Sequence, residues 1–182
     1  MRISLLSVIL LVICSVNEAY CQVYLYRTFE EYEQDMGEEF DDHLECKHGT
    51  LKVKLILRKN GRDTLVDVRE HWGFRFRQHL FRIDQGVGKY PIHVASAGKV
   101  IYYEWGPPIL EEINGNSSYS FPPDANFAYI SKNLNSQIHI FPDKRLNKKY
   151  PEYQELFECM GYDRRYFQRF ISCAEKFNKE HQ

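Results

Sequence analysis

Thr64 to Leu80, TLVDVREHWGFRFRQHL, is the stretch on which the fold turns. Leu65, Val68, Trp72, Phe76 and Leu80 step by three or four, the stripe of an amphipathic helix. Val66, Val68, Phe74 and Phe76 alternate instead, as residues of half-buried strands do. We read a helix here, with Gly73 as its weak point, and keep the strands as the alternative.

On the N-terminal side, Thr50 to Arg58 (TLKVKLILR) alternates Leu51, Val53, Leu55 and Leu57 with Lys52, Lys54, Ile56 and Arg58. That is a strand with one buried face, and Asn60-Gly61 after it is a strong turn signal. On the C-terminal side, Lys99 to Trp105 (KVIYYEW) is the clearest strand. Asn126 to Ser131 and Ser136 to Phe141 are two more, joined by the polar turn Lys132 to Asn135. From Lys149 the period becomes helical: Tyr153, Leu156, Phe157 and Met160 share a side, Gly161 ends that helix and Asp163 caps the next. Phe170, Ala174 and Phe177 continue an apolar stripe. The expected fold is α+β: one helix on a four- or five-stranded antiparallel sheet, then a C-terminal helical extension.

The chain has 182 residues, 43% apolar and 27% charged, which excludes disordered, collagen-like and coiled-coil classes. No apolar run reaches the roughly 18 residues of a membrane span. Residues 1–21 have the layout of a secretory signal: Arg2, the apolar run Leu5 to Ile13, and Ala19-Tyr20-Cys21 before a cut. A cut after Ala19 is the alternative. Gln22 to His48 carries nine acids against two bases, a net of −7, and Gly49 to Gln182 carries 21 bases against 15 acids, a net of +6. Residues 22–43 read as an acidic arm before a basic body. In an oxidising compartment Cys46, Cys159 and Cys173 are bridge candidates. Asn116 heads the one N-glycosylation sequon.

Two constellations bear on chemistry. Asp41, Asp42, His43, Glu45, Cys46 and His48 are dense in metal-ligand types but match no standard zinc spacing, and no metal or cofactor is expected. Tyr90, His93, Glu104 and His139 fall on or beside separate strands. A carboxylate and two imidazoles are what acid–base cleavage of RNA requires: a base for the ribose 2′-OH and an acid for the leaving 5′ oxygen.

Tyr102-Tyr103-Glu104-Trp105, followed by Pro108-Ile109-Leu110, resembles the strand carrying the catalytic glutamate in fungal guanyl-specific ribonucleases. Tyr90-Pro91-Ile92-His93 resembles their Tyr-Pro-His element with Ile92 inserted, and Ile138-His139 their late histidine strand. Pro123-Asp124-Ala125-Asn126 stands where that family has a turn ending in a catalytic arginine, so Asn126 replaces the fixed cation. Phe157-Glu158-Cys159 resembles the closing element. The resemblance covers residues 44–160, with 161–182 outside it as an amphipathic helix, and it implies a Cys46–Cys159 bridge. If Gly161 is a turn between antiparallel helices, Cys173 stands roughly 15 Å up the second one, beyond the roughly 7 Å that a bridge to Cys159 allows.

The Asn-rich guanine-binding loop of the enzymes is missing. The chain is therefore most similar to the secreted ribonuclease-like effectors of powdery mildew fungi, virulence proteins that often lose catalytic residues. The resemblance implies a secreted monomer, non-catalytic or weakly catalytic, that binds host RNA or host protein. Glu104, His139, His93 and Tyr90 would be its vestigial catalytic set. Tyr102 and Tyr103 would be stacking surfaces for bases. The alternatives are an active secreted endoribonuclease cleaving single-stranded RNA, and a secreted transthyretin-like β-sandwich binding protein.

Overall fold

The computed structural model describes residues 22–48, 53–83, 90–115, 128–141, 143–161 and 168–181. Residues 1–21, Asn116 and Asn126 lie outside them, and with them the expected leader, sequon and arginine-replacing position. The N-terminal half contains β1 (Val23–Tyr26), α1 (Phe29–Glu33), β2 (Glu38–Phe40), β3 (Leu44–His48), β4 (Val53–Lys59), β5 (Arg62–Asp67), β6 (Gly73–Phe76) and β7 (His79–Ile83). There follow β8 (Pro91–Ser96), β9 (Ile101–Trp105), α2 (Gly106–Ile113), β10 (Ala128–Ser131) and β11 (His139–Phe141). The C-terminal helices are α3 (Arg145–Lys149), α4 (Gln154–Met160) and α5 (Gln168–Glu180). The fold is α+β, with an eight-stranded antiparallel sheet in the order β11-β10-β9-β8-β7-β6-β1-β2 and a three-stranded sheet β3-β4-β5.

Eight strands exceed the four or five expected, for two local reasons. Thr64 to Leu80 is not a helix. It is the end of β5, a 3-10 turn at Val68–Glu70, β6, and the start of β7. The alternating set Val66, Val68, Phe74 and Phe76 is buried, whereas Leu65 of the helical stripe is 55% exposed. Gly73 serves close strand packing: a Cβ there would stand 2.5 Å from the Phe81 carbonyl oxygen. Phe74 and Phe81, paired in register, stack at 4.8 Å between centroids.

The acidic stretch supplies the other extra strands. β1 pairs with both β2 and β6, and Val23, Leu25, Tyr26 and Phe40 are buried. Its charges are tied to the body by Glu38–Lys59, Asp35–Arg75 and Asp42–Arg77 ion pairs, and Asp41 accepts from the Gly61 N–H. Residues 22–43 are thus an integral sheet edge, not an arm set apart from the body.

The β4–β5 hairpin turns at Asn60-Gly61, both at positive φ (52° and 73°), the geometry of a type I′ turn. Strand alternation sorts the large sheet into two faces. One face carries two cores. Over β1, β2, β6 and β7, Val23, Leu25, Phe74, Phe76, Phe81 and Ile83 pack against Leu44, Leu55, Leu57 and Val66 of the small sheet and Leu110 of α2. Over β9 to β11, Tyr102, Ala128, Ile130 and Phe141 pack against Leu146, Tyr153, Leu156, Phe157 and Met160, and against Phe170, Ala174 and Phe177 of α5. The helical stripes from Tyr153 onward fall where their spacing put them.

The cysteines pair otherwise than the resemblance implied. Cys159 is bridged to Cys173, Cα–Cα 5.8 Å, and Cys46 is a free thiol. The 5.8 Å between their Cα atoms overturns the roughly 15 Å that a hairpin at Gly161 implied; within the described part of α5, Cys173 stands five residues after Gln168. Cys46, on β3 opposite Leu55, packs against the first core, whereas Cys159 packs against the second. Burial, then the nearby Glu111 and Glu45 carboxylates, pushes the Cys46 thiol up to about 12.

Candidate functional site

β8 and β9 place His93 directly opposite Glu104, so their Cβ atoms are about 5 Å apart on one face. The Phe81↔His93 register extends the row to β7. His93 bonds His79 rather than Glu104: His93 Nε2 and His79 Nδ1 are 3.1 Å apart, one donating and the other accepting. The Phe81 ring lies 5.2 Å from the His93 ring, and His93 Nδ1 is buried without a partner. Burial, then the adjacent His79, lowers His93 to about 4, so it is a neutral imidazole at pH 7.

Glu104 is half-buried and its carboxyl is held above the ordinary carboxylate range, first by burial and then by Glu175 of α5. Tyr102, two residues earlier on the same face, is fully buried with an unpartnered hydroxyl. Burial, then Glu104, raises it. Tyr103 points to the opposite face and is also 0% exposed. Neither tyrosine offers a ring for a base to stack on, which overturns the stacking role expected for them. Strand aromatics on a two-sided core are packing residues, and sequence alternation alone does not show that both faces are covered.

His139 shares the face but not the point. It pairs with Ile130, which pairs with Tyr102, so it stands two strand spacings from β9, about 10 Å, and two residues along from Glu104. Its Nε2 is 2.8 Å from the Tyr150 hydroxyl. Burial and then Lys149 lower its pKa, against a rise from Asp143. Tyr90 is half-buried and packs against the first core. The structure therefore joins His93 to Glu104, adds His79, and leaves His139 and Tyr90 apart. His79 carries no motif of its own; only the β7–β8 register brings it to His93.

The C-terminal helix bounds this region. Asn178 of α5 accepts from the Val100 N–H at 2.9 Å and donates to the Val100 carbonyl at 2.9 Å and to Ser96 Oγ at 3.1 Å. It clamps α5 to the β8–β9 connection beside the Glu104 strand. Among the described residues no group of three or more His, Cys, Asp or Glu is arranged to hold a metal ion, and no helix is long and apolar enough to cross a membrane. Comparison of the chain with protein-family models, with curated proteins and with solved structures finds no match.

Proposed function

We propose that the protein is a secreted, ribonuclease-like effector that acts by binding rather than by cleaving RNA. The observation that carries this reading is the separation of the acid–base groups. His93 and Glu104 are neighbours, but His139, of the same expected set, is strands away and engaged with Tyr150. General acid–base catalysis needs both groups within hydrogen-bond reach of the reacting atoms. The Cys159–Cys173 bridge is compatible with an oxidising compartment. RNA is the favoured partner because exposed Lys144, Arg145, Lys148 and Lys149 cluster on and beside α3, next to the His139–Tyr150 contact.

The test incubates the purified protein with a guanosine-containing dinucleotide and with total RNA, beside a Glu104→Ala/His139→Ala double mutant. No turnover in either protein, with salt-sensitive RNA binding that a Lys148→Glu/Lys149→Glu variant loses, is the expected result. Turnover at ordinary ribonuclease rates that disappears in the double mutant would show the protein to be an enzyme. Absence of RNA binding would direct the search to a host protein.

A further inference from the structure

The β4–β5 hairpin closes on Asn60-Gly61, one of two Asn-Gly sequences in the chain; the other is Asn114-Gly115. Asn60 and Gly61 are exposed at positive φ, 52° and 73°, and Lys59 pairs with Arg62 on either side of them. In an Asn-Gly sequence the asparagine side chain is unusually open to attack by the next backbone nitrogen, because glycine carries no side chain to shield it. A Cβ built on Gly61 would meet nothing within 4 Å, so the turn stands in open solvent.

The folded turn withholds that reaction, and a residue of the acidic stretch holds the turn. In a type I′ turn the first central residue has ψ of about +30°, which sets the Gly61 nitrogen about 150° from the Asn60 Cβ around the Cα–C bond, nearly anti. Ring closure needs the two eclipsed, so the Asn60–Gly61 peptide plane must turn over first. The N–H of that same plane is the one that Asp41 Oδ2 accepts, at 3.1 Å. Asp41 is itself fixed at this end of the hairpin. Its own N–H donates to the Arg58 carbonyl at 2.7 Å, and its carbonyl accepts from the His43 N–H at 2.7 Å. A charge-assisted bond between residues 20 apart in the chain thus opposes the rotation that makes Asn60 reactive. Asn114 is held differently, by its own side chain: its Nδ2 donates to the Leu44 carbonyl at 2.8 Å.

We propose that Asn60 is a site of spontaneous deamidation gated by Asp41, closed while Asp41 holds Gly61 and reactive when the turn opens. In the opened turn the Gly61 nitrogen, its proton lost to solvent base, attacks Asn60 Cγ. The N–Cγ bond forms, the Cγ–Nδ2 bond breaks, and the amide nitrogen leaves as ammonia with a proton taken from water. Water then opens the succinimide at either carbonyl and gives aspartate or isoaspartate, with no oxidant or reductant involved. Both products set a new carboxylate beside Asp41 and oppose its bond to Gly61. Isoaspartate also adds one atom to the backbone, which a two-residue hairpin loop in the Lys59↔Arg62 register does not accommodate. The change loosens the contact between the acidic stretch and the small sheet, and it does not depend on ribonuclease ancestry.

The experiment incubates the full chain at neutral pH, folded and in guanidinium chloride, and follows conversion at Asn60 and at Asn114 by peptide mapping with mass spectrometry. Folded wild-type protein should convert at Asn60 at least about tenfold more slowly than the unfolded chain. Asp41→Ala should raise the folded rate at Asn60 by about fivefold and leave Asn114 unchanged. A folded rate equal to the unfolded one overturns the proposal, as does an Asn60 rate that Asp41→Ala leaves unchanged or lowers. An equal rise at both asparagines means a general loosening of the fold and overturns the gate. If Asp41→Ala does not fold, Asp41→Asn, which keeps the shape and removes the charge, takes its place: a rise at Asn60 alone is expected, and no rise overturns the gate.

Discussion

Over its N-terminal strands the large sheet is covered by a second sheet, and over β9 to β11 the same face is covered by helices. The first cover brings residues that alternate, Leu55 and Leu57 from β4 and Val66 from β5. The second brings residues spaced by three and four, such as Leu156, Phe157 and Met160, and Phe170, Ala174 and Phe177. Both solutions bury the same kind of surface, because one face of an antiparallel sheet requires only an apolar partner about 10 Å away. The polar residues of that face, His79, His93 and Glu104, fall in the rows between the two covers. A candidate site thus arises where two packing modes meet, and its polar groups are tolerated because neither cover closes on them completely.

The largest effects should come from the cores themselves. Phe74→Ala in the sheet-on-sheet half and Phe157→Ala in the helix-on-sheet half each remove a fully buried ring, at an expected 3–5 kcal/mol, marked as about that size by analogous substitutions. Urea unfolding followed by tryptophan fluorescence and by far-UV circular dichroism should give one coincident transition in both variants. Separate transitions would mean that the two halves are independent units.

Next is the bridge, which exists only in the helical half. Cys173→Ser opens a loop with a sequence separation of 14 and should cost about 3 kcal/mol in the chain-entropy treatment. Hydrogen exchange should show the loss of protection concentrated in α4 and α5, with β3 to β5 little changed. A variant in which Cys46 is instead found bridged to Cys159 would restore the pairing implied by the ribonucleases.

The groups between the covers should make stability depend on pH. His93 is lowered to about 4 from an ordinary 6.5, so as pH falls the unfolded chain takes up the proton first. Stability should decline between about pH 6.5 and 4, by about 2 kcal/mol after allowance for solvent screening, and His93→Gln should flatten that limb. Glu104 acts in the opposite sense. Its carboxyl is raised, so the penalty of ionising it is present at neutral pH and relieved on acidification, and Glu104→Gln should stabilise at pH 7 by less than about 1 kcal/mol. Equal pH profiles in all three proteins would remove the titrating pair from the account.

The smallest effect belongs to the charged edge. Glu38–Lys59 is a pair with both side chains close to half exposed, and Glu38→Gln should change stability by no more than about 0.5 kcal/mol. Loss of several kcal/mol would mean that the acidic stretch is held by its charges. The expected result is that Val23, Leu25 and Phe40 hold it by burial.

Local patterns determined much of this protein. The alternation in β4, the Asn60-Gly61 turn, the β9 strand and the stripes of α4 and α5 depend on neighbours within one or two turns of chain, and their spacing is legible without a structure. The strands β9, β10 and β11 fall within the stretches that the alternation marked, whereas the strand β8 and the opposition of His93 and Glu104 come from the sheet register. Tertiary structure decided the rest. Thr64 to Leu80 carries both a helical stripe and an alternating one, and the choice rests on Gly73 lying against the Phe81 backbone and Phe74 on the Phe81 ring, contacts that form only once β6 and β7 pair. The acidic stretch reads as a solvated arm because seven excess charges dominate its composition, yet its few apolar residues are inserted in a sheet whose other strands lie far along the chain. The Cys159–Cys173 bridge and the His79–His93 contact each join groups by register and helix placement. These are long-range distances, on which the order of residues along a chain is silent.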